Sequence, residues 1–255
     1  MVVLALGDIV GEAGSAYLRE KLPGLKRYYK TNVVMANGEN CAQGNGITPK
    51  SARYLFDSGV DVITTGNHVF RRREIYETLD EQCGIIRPAN FHRTSPGVGQ
   101  YIYDGCRYKL CVINLVGVYG MHPSENPFDC IDRILEKIDT PNIIVDFHAE
   151  ATSEKQCMGY YLDGRVSAVL GTHTHIPTAD ARILSGGTGY ITDLGMCGGM
   201  NSSLGVKADD AIKWIRTGMP VKFEEENKDI RICAVVLDID EQSGRCKCIE
   251  QLAWI

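Results

Sequence analysis

The chain has 255 residues, 44% of them hydrophobic and 23% charged, a composition that supports a substantial core and excludes disordered, collagen-like and coiled-coil classes. Lys and Arg number 27 against 32 Asp and Glu, a net charge of −5, which favours neither long nucleic acid nor an anionic membrane as partner. No run is apolar for long enough to span a bilayer. The opening stretch lacks a basic flank and breaks at Gly7-Asp8, so it reads as a buried first strand and a cytoplasmic protein is expected. Val2–Leu6 is that strand, followed by a helix over Ser15–Tyr29 with Leu18, Leu22 and Leu25 at helical spacing. Asn32–Ala36 is a second strand, and Gly44-Asn45-Gly46 has turn chemistry. Thr48-Pro49 starts a helix that runs to about Ser58, with Gly59 as its stop. Asp61–Thr65 is a third strand, ending in Gly66, which lets the backbone turn sharply, and a helix is predicted over Arg71–Leu79.

The middle of the chain changes character. Tyr101–Asp104 and Tyr108–Val116 read as a hairpin turned at Asp104-Gly105. A helix over Phe128–Ile138, a strand over Asn142–Phe147, a helix over Ser153–Tyr161 and a strand over Val166–Leu170 follow. The Gly-rich stretch Ser185–Gly205 reads as a mobile loop holding at most a short strand at Tyr190–Thr192. A helix over Ala208–Thr217 and strands near Ile232–Leu237 and Cys246–Leu252 close the chain. Early strand–helix alternation gives parallel strands with helices on both faces, and the later hairpins add antiparallel ones. One α/β sandwich over residues 1–255 is expected, with mixed, largely parallel central sheets flanked by helices. The ten cysteines are scattered without any Cys-x-x-Cys, so reduced thiols are expected rather than disulfides or zinc.

Polar, ligand-type residues fall at the strand ends. They are Asp8 after the first strand, Glu39 and Asn40 after the second, Asn67 and His68 after the third, and His148, His173 and His175 after two later ones. Parallel α/β sheets place their sites at the carboxyl ends of strands, so these residues gather on one edge. Taken singly, each is an ordinary cap or turn residue; the conjunction of five segments points to a metal site. In His173-x-His175 both rings can face one side of an extended chain. Carboxylate, amide and imidazole donors without thiolate favour Mn, Fe or Zn, and so many donors suit two ions rather than one. Two divalent ions leave a positive surplus over Asp8 and Glu39, suited to binding phosphate and to acidifying a bridging water for in-line attack on a phosphoester. Gly7-x-x-x-Gly11-x-x-Gly14 does not fit a dinucleotide fingerprint. Arg71-Arg72-Arg73 reads as a solvated helix start or as a phosphate or base contact.

The blocks Gly7-Asp8-Ile-Val10, Asn37-Gly38-Glu39-Asn40, Gly66-Asn67-His68-Val69, His148 and Gly171-Thr-His173-Thr-His175 resemble, in order, those of the calcineurin-like metallophosphoesterase superfamily. Val10 stands where that superfamily has a metal-binding His, and Glu39 stands for its bridging Asp. These departures resemble the YmdB-like bacterial branch, over essentially the whole chain. The resemblance implies a metallophosphoesterase-type fold and 2′,3′-cyclic nucleotide phosphodiesterase activity in a homo-oligomer, dimer or tetramer. It implies two metal ions per subunit, Fe or Mn ahead of Zn or Mg. One ion would lie on Asp8, Glu39, Asn40 and His175, and the other on Glu39, Asn67, His148 and His173. A metal-bridging hydroxide would attack phosphorus, and His68 would be the proton donor. Val69 leaves no acid beside His68 in sequence to orient it. Two other readings stay open: a phosphomonoesterase or short-RNA phosphodiesterase on the same site, and a non-catalytic, metal-dependent nucleotide-binding regulator.

Overall fold

The computed structural model describes residues 1–43 and 45–255; Gly44, the first residue of the expected Gly44-Asn45-Gly46 turn, lies outside them. The strands are β1 (Val2–Val10), β2 (Val33–Asn40), β3 (Val62–Thr64), β4 (Gln100–Asp104), β5 (Lys109–Val116), β6 (Ile143–His148), β7 (Ala168–Thr172), β8 (Arg182–Ile183), β9 (Gly189–Ile191), β10 (Met196–Gly199), β11 (Ile230–Arg231), β12 (Ala234–Ile239) and β13 (Cys246–Leu252). The helices are α1 (Gly11–Tyr29), α2 (Pro49–Asp57), α3 (Ile75–Asp80), α4 (Pro127–Leu135), α5 (Thr152–Tyr161) and α6 (Ala208–Thr217).

Two mixed sheets pack face to face. In the first, β1 runs parallel to β2, and β2 to β3. On its other side β1 has two partners in succession: antiparallel β12 along Val2–Leu6, then parallel β10 along Asp8–Ile9. The exchange falls at Gly7, where a Cβ would lie 2.0 Å from the Gly195 carbonyl oxygen, so only glycine lets the backbones meet. The second sheet runs β4-β5-β6-β7-β9-β8, parallel from β5 to β9 with antiparallel edges. Val3, Ala5 and Val33 of one sheet meet Val112, Ile144 and Leu170 of the other in a common core. Leu18 and Leu22 of α1 and Leu55 of α2 cover the outer face of the first sheet. Ile131 of α4 and Met158 of α5 cover the second. Burial on both faces explains the unbroken apolar runs.

Several expected boundaries shift. Asp8, Glu39 and Asn40 lie inside β1 and β2, because both strands run further than their apolar cores. The helix expected over Arg71–Leu79 is formed only over Ile75–Asp80; before it the chain makes turns closed by Arg71 N–H to His68 O and Ile75 N–H to Arg72 O. Ser185–Gly205 is not the mobile loop its glycines suggested. It supplies β9, at the short strand expected near Tyr190–Thr192, to one sheet and β10, which was not expected, to the other, both fully buried. Its glycines serve close packing: a Cβ on Gly189 would lie 2.9 Å from Cys246 Sγ, and one on Gly195 2.8 Å from Pro177. All ten cysteines are free, six buried and four exposed. Among the described residues no helix is long and apolar enough to cross a membrane.

Candidate metal centre

The carboxyl ends of β2, β3, β6 and β7 open on one edge, and the Asp8 region of β1 joins them. All eight sequence-predicted residues converge there. Asp8, Glu39, Asn40, His148 and His175 are buried, whereas Asn67, His68 and His173 are partly so. His92 and His122, not counted as ligands, lie elsewhere on the exposed surface.

One group of donors surrounds Nε2 of His148. Asn67 Oδ1 is 3.0 Å away, Glu39 Oε1 3.1 Å and His173 Nδ1 3.0 Å. The other nitrogen of His148 is spoken for. The Thr172 hydroxyl donates to Asp146 Oδ1 at 2.6 Å, so its lone pair faces His148 Nδ1 at 2.9 Å and that nitrogen carries hydrogen. His173 is held the opposite way: its Nε2–H donates to Glu150 Oε2 at 2.9 Å, leaving Nδ1 bare. A second group lies beside the first. His175 donates from Nδ1 to the Leu204 carbonyl at 3.0 Å, turning Nε2 toward Asp8 Oδ1 at 3.6 Å and the Asn40 amide at 3.3 Å. Asp8 Oδ1 is buried without a hydrogen-bond partner, while Oδ2 accepts from His173 N–H at 3.2 Å.

These contacts test whether the residues fit metal ions. Three imidazoles each have one nitrogen anchored by an acceptor and the other turned inward, the arrangement that fixes a metal-binding tautomer. At His148 Nε2 a single proton would face three acceptors, and Asp8 Oδ1 has none to accept. Both positions are shaped for cations. Charge repeats the point. Burial would push Glu39 up, but His148 and His68 hold it below the usual range; burial likewise opposes Asp8, and His175 and His148 keep it well below. Burial would lower His148, yet Glu39, Asp8 and Asp146 raise it to about 9. His173, desolvated and repelled by His148, falls to about 4. In the metal-free protein, protons on His148 neutralise carboxylates that ions would otherwise neutralise.

His68 presents Nδ1 to Asn40 Oδ1 at 2.9 Å and to Glu39 Oε1 at 3.4 Å, and its backbone N–H donates to Glu39 Oε2 at 2.8 Å. Val69, which follows it, is fully buried in the core, so the ring takes its orientation from β2 rather than from a sequence neighbour. Gly66 is present for space and not for a left-handed turn: a Cβ there would lie 2.4 Å from the His148 ring. Of the three arginines, Arg72 turns back on the site loop, donating from Nε to Asn45 O at 3.0 Å and from Nη2 to Gln43 O.

Sequence reasoning missed Asp146, Thr172, Glu150 and the Leu204 carbonyl, which hold the imidazoles. It also missed the buried Lys155–Asp193 pair at 2.6 Å. Asp193 accepts from Thr174 N–H and Gly195 N–H, fixing the turn that carries His173 and His175. Glu150, two residues after His148, was the one with a local signal.

Parallel strands whose ends assemble two carboxylates, two amides and three imidazoles define a metal-dependent phosphoesterase. Comparison with known proteins agrees. A 2′,3′-cyclic-nucleotide 2′-phosphodiesterase of Bacillus subtilis (strain 168) is 43% identical over 254 residues, covering 99% of this chain and 96% of that protein. The crystal structure of a hypothetical protein from Thermus thermophilus superposes with a TM-score of 0.94 at 38% identity, covering 100% of this chain and 99% of that one. A novel phosphatase of Mycoplasma pneumoniae superposes with a TM-score of 0.93 at 32% identity, covering 99% and 92%. The model of the YmdB-like protein family matches residues 4–252, and the chain belongs to that family.

Proposed function

We propose that this protein is a two-metal phosphodiesterase that opens 2′,3′-cyclic nucleotides, acting as one domain over residues 1–255. The observation that carries the metal reading is the crowding of three acceptors on His148 Nε2 beside the orphaned Asp8 Oδ1. Asp8, Glu39, Asn40 and His175 would hold one ion, and Glu39, Asn67, His148 and His173 the other, with Glu39 shared. The mixed nitrogen and oxygen donors without thiolate suit Mn, Fe or Zn, and the family resemblance puts Fe or Mn ahead of Zn or Mg. When bound, such ions acidify a water and offset phosphate charge, which in-line displacement at phosphorus requires. The substrate class follows the activity named for the Bacillus subtilis relative.

The chain's own residues do the rest. Glu39 fixes the backbone of His68 while Asn40 fixes its ring. His68, partly exposed, delivers a proton to the departing ribose oxygen, so that leaving oxygen does not depart as an alkoxide. The acidic net charge favours a small substrate over long nucleic acid. Assembly as a dimer or tetramer would cover exposed apolar residues such as Ile212 and Ile215, which share one side of α6 and are both more than half exposed.

The test is turnover of 2′,3′-cyclic AMP by protein reconstituted with Mn or Fe, with His68→Ala alongside. Ring opening by the wild type and its loss in the variant is the expected result. Equal rates in both would remove His68 from the chemistry. Turnover of nucleoside monophosphates or short RNA in place of the cyclic ester would move the assignment to another phosphoester. Tight binding without turnover under several metals would favour a regulator.

A further inference from the structure

On the far side of the His68 ring from Asn40, the Asn45 amide nitrogen lies 3.4 Å from His68 Nε2. The imidazole is thus gripped at both nitrogens by carboxamides. The Asn45 backbone is left-handed, with φ 85°, a conformation Asn tolerates better than most residues, and the loop around it is closed by Ala42 N–H to Gly46 O and Asn45 N–H to Ala42 O. Arg72 straps that loop through the Gln43 and Asn45 carbonyls, with its stem against Gly46, where a Cβ would lie 2.8 Å from Arg72 Cγ. Asn45 Oδ1 is buried and without a partner. When Nε2 is bare the amide N–H donates to it, and when Nε2 carries hydrogen a half-turn exchanges the amide's nitrogen and oxygen. After that half-turn Oδ1 faces His68 Nε2 and accepts from an N–H there.

We propose that Asn45 is a positioning residue for proton transfer from His68. Its carboxamide, strapped by Arg72, holds the Nε2–H until the departing ester oxygen takes the place of the amide oxygen. It holds the far nitrogen of a ring whose near nitrogen Asn40 already orients. This rests on the phosphodiesterase reading above. As the bond from phosphorus to the ribose oxygen breaks, the electron pair stays on that oxygen, which takes the Nε2 proton. The attacking water, bonding to phosphorus, gives up the proton that restores the ring. An aryl ester, whose phenolate leaves unprotonated, needs none of this.

The experiment compares Asn45→Ala, His68→Ala and the double variant on 2′,3′-cyclic AMP and on bis(p-nitrophenyl) phosphate, with the same metal loaded. The expected result is a fall in kcat on the cyclic ester that exceeds the fall on the aryl ester by about tenfold, part of the ~10² to 10⁴ that a positioned acid supplies. KM should change little, and the double variant should fall no further than His68→Ala alone. Equal losses on both esters, or an additive double variant, would overturn the proposal. A second readout needs no turnover: ¹⁵N resonances of the His68 ring in the Zn-loaded protein should move in Asn45→Ala, more at Nε2 than at Nδ1. An unmoved Nε2 overturns the inference. A wild type that cleaves the aryl ester but not the cyclic one overturns the substrate reading instead, and the ring resonances alone then decide on Asn45.

Discussion

Nε2 of His148 and Nδ1 of His173 lie 3.0 Å apart, although the remaining nitrogen of each ring already donates elsewhere, to Thr172 Oγ1 and to Glu150. Two bare nitrogens at that distance repel unless a cation lies between them, and in the metal-free protein the cation is a proton on His148, whose pKa stands at about 9. Metal uptake near neutral pH should therefore release that proton, and affinity should rise as pH rises toward 9. Calorimetric titration in buffers of different ionisation enthalpy measures the protons released. A buffer-independent heat at pH 7 would contradict this account of the site.

The same groups set the pH dependence of metal-free stability. His148 is raised above its ordinary 6.5, so its contribution is full below 6.5 and is lost as pH rises through about 9. His173 is depressed to about 4, so its contribution is full above 6.5 and is lost as pH falls toward 4; Asp8, also depressed, adds to the acid-side loss at still lower pH. Thermal melts of metal-free protein should peak near pH 6.5, and loading metal should shift the peak to higher pH because bound His148 is unprotonated. Coincident optima with and without metal would refute the linkage.

Thr172→Val tests the support behind His148. The change keeps the shape of the side chain but removes the hydroxyl that links Asp146 to His148 Nδ1. Groups that orient a metal-ligating histidine are worth about 10- to 100-fold in affinity. Equilibrium dialysis should show a loss of that size while the far-ultraviolet circular dichroism stays that of the wild type. Unchanged affinity would mean that the Thr172 hydroxyl does not set the orientation of the ring.

What the sequence disclosed and what it concealed divide along a physical line. The Asp8, Glu39, Asn67, His148 and His173 blocks were legible because parallel strands carry whatever follows their apolar runs to a common edge. Asp146 and Thr172 were not, since each reads as an ordinary strand residue until β6 and β7 pair at Asp146↔Leu170 and His148↔Thr172. Asn45 and Arg72 were hidden for a like reason: their meeting depends on a loop returning across 27 residues. The glycines of Ser185–Gly205 were misread as freedom because close approach and mobility favour the same residue; only the neighbouring backbone tells them apart. Gly66 was taken for a turn on the same ground.

Gly66→Ala follows from that distinction. The added methyl would lie 2.4 Å from Nε2 and Cδ2 of His148, inside van der Waals contact, and His148 has no room to retreat because it is fully buried. The ring must tilt, taking Nε2 away from Asn67 and Glu39. On the proposed two-ion site, metal stoichiometry should fall from two ions toward one per chain, with the Asp8–His175 position keeping its ion. Elemental analysis of the purified variant reads this directly, and retention of both ions would show that Gly66 serves the backbone rather than the ring.

Lys155→Met breaks the ion pair beneath the other histidines. Lys155 Nζ and Asp193 Oδ2 are both nearly inaccessible and lie 2.6 Å apart. Removing one partner of a buried pair leaves the other charge without compensation, at a cost of about 3–5 kcal/mol. Asp193 would retain its bonds from Thr174 and Gly195 N–H, so the damage should appear first as lost stability, and as lost metal only where the His173–His175 turn loosens. Urea unfolding of the metal-loaded variant should give a midpoint well below the wild type. Asp193→Asn combined with Lys155→Met, which removes both charges, should recover part of that loss. No recovery in the double variant would mean that packing of the lysine stem, or the Thr174 and Gly195 N–H bonds of which Asn can accept only one, outweighs the charge.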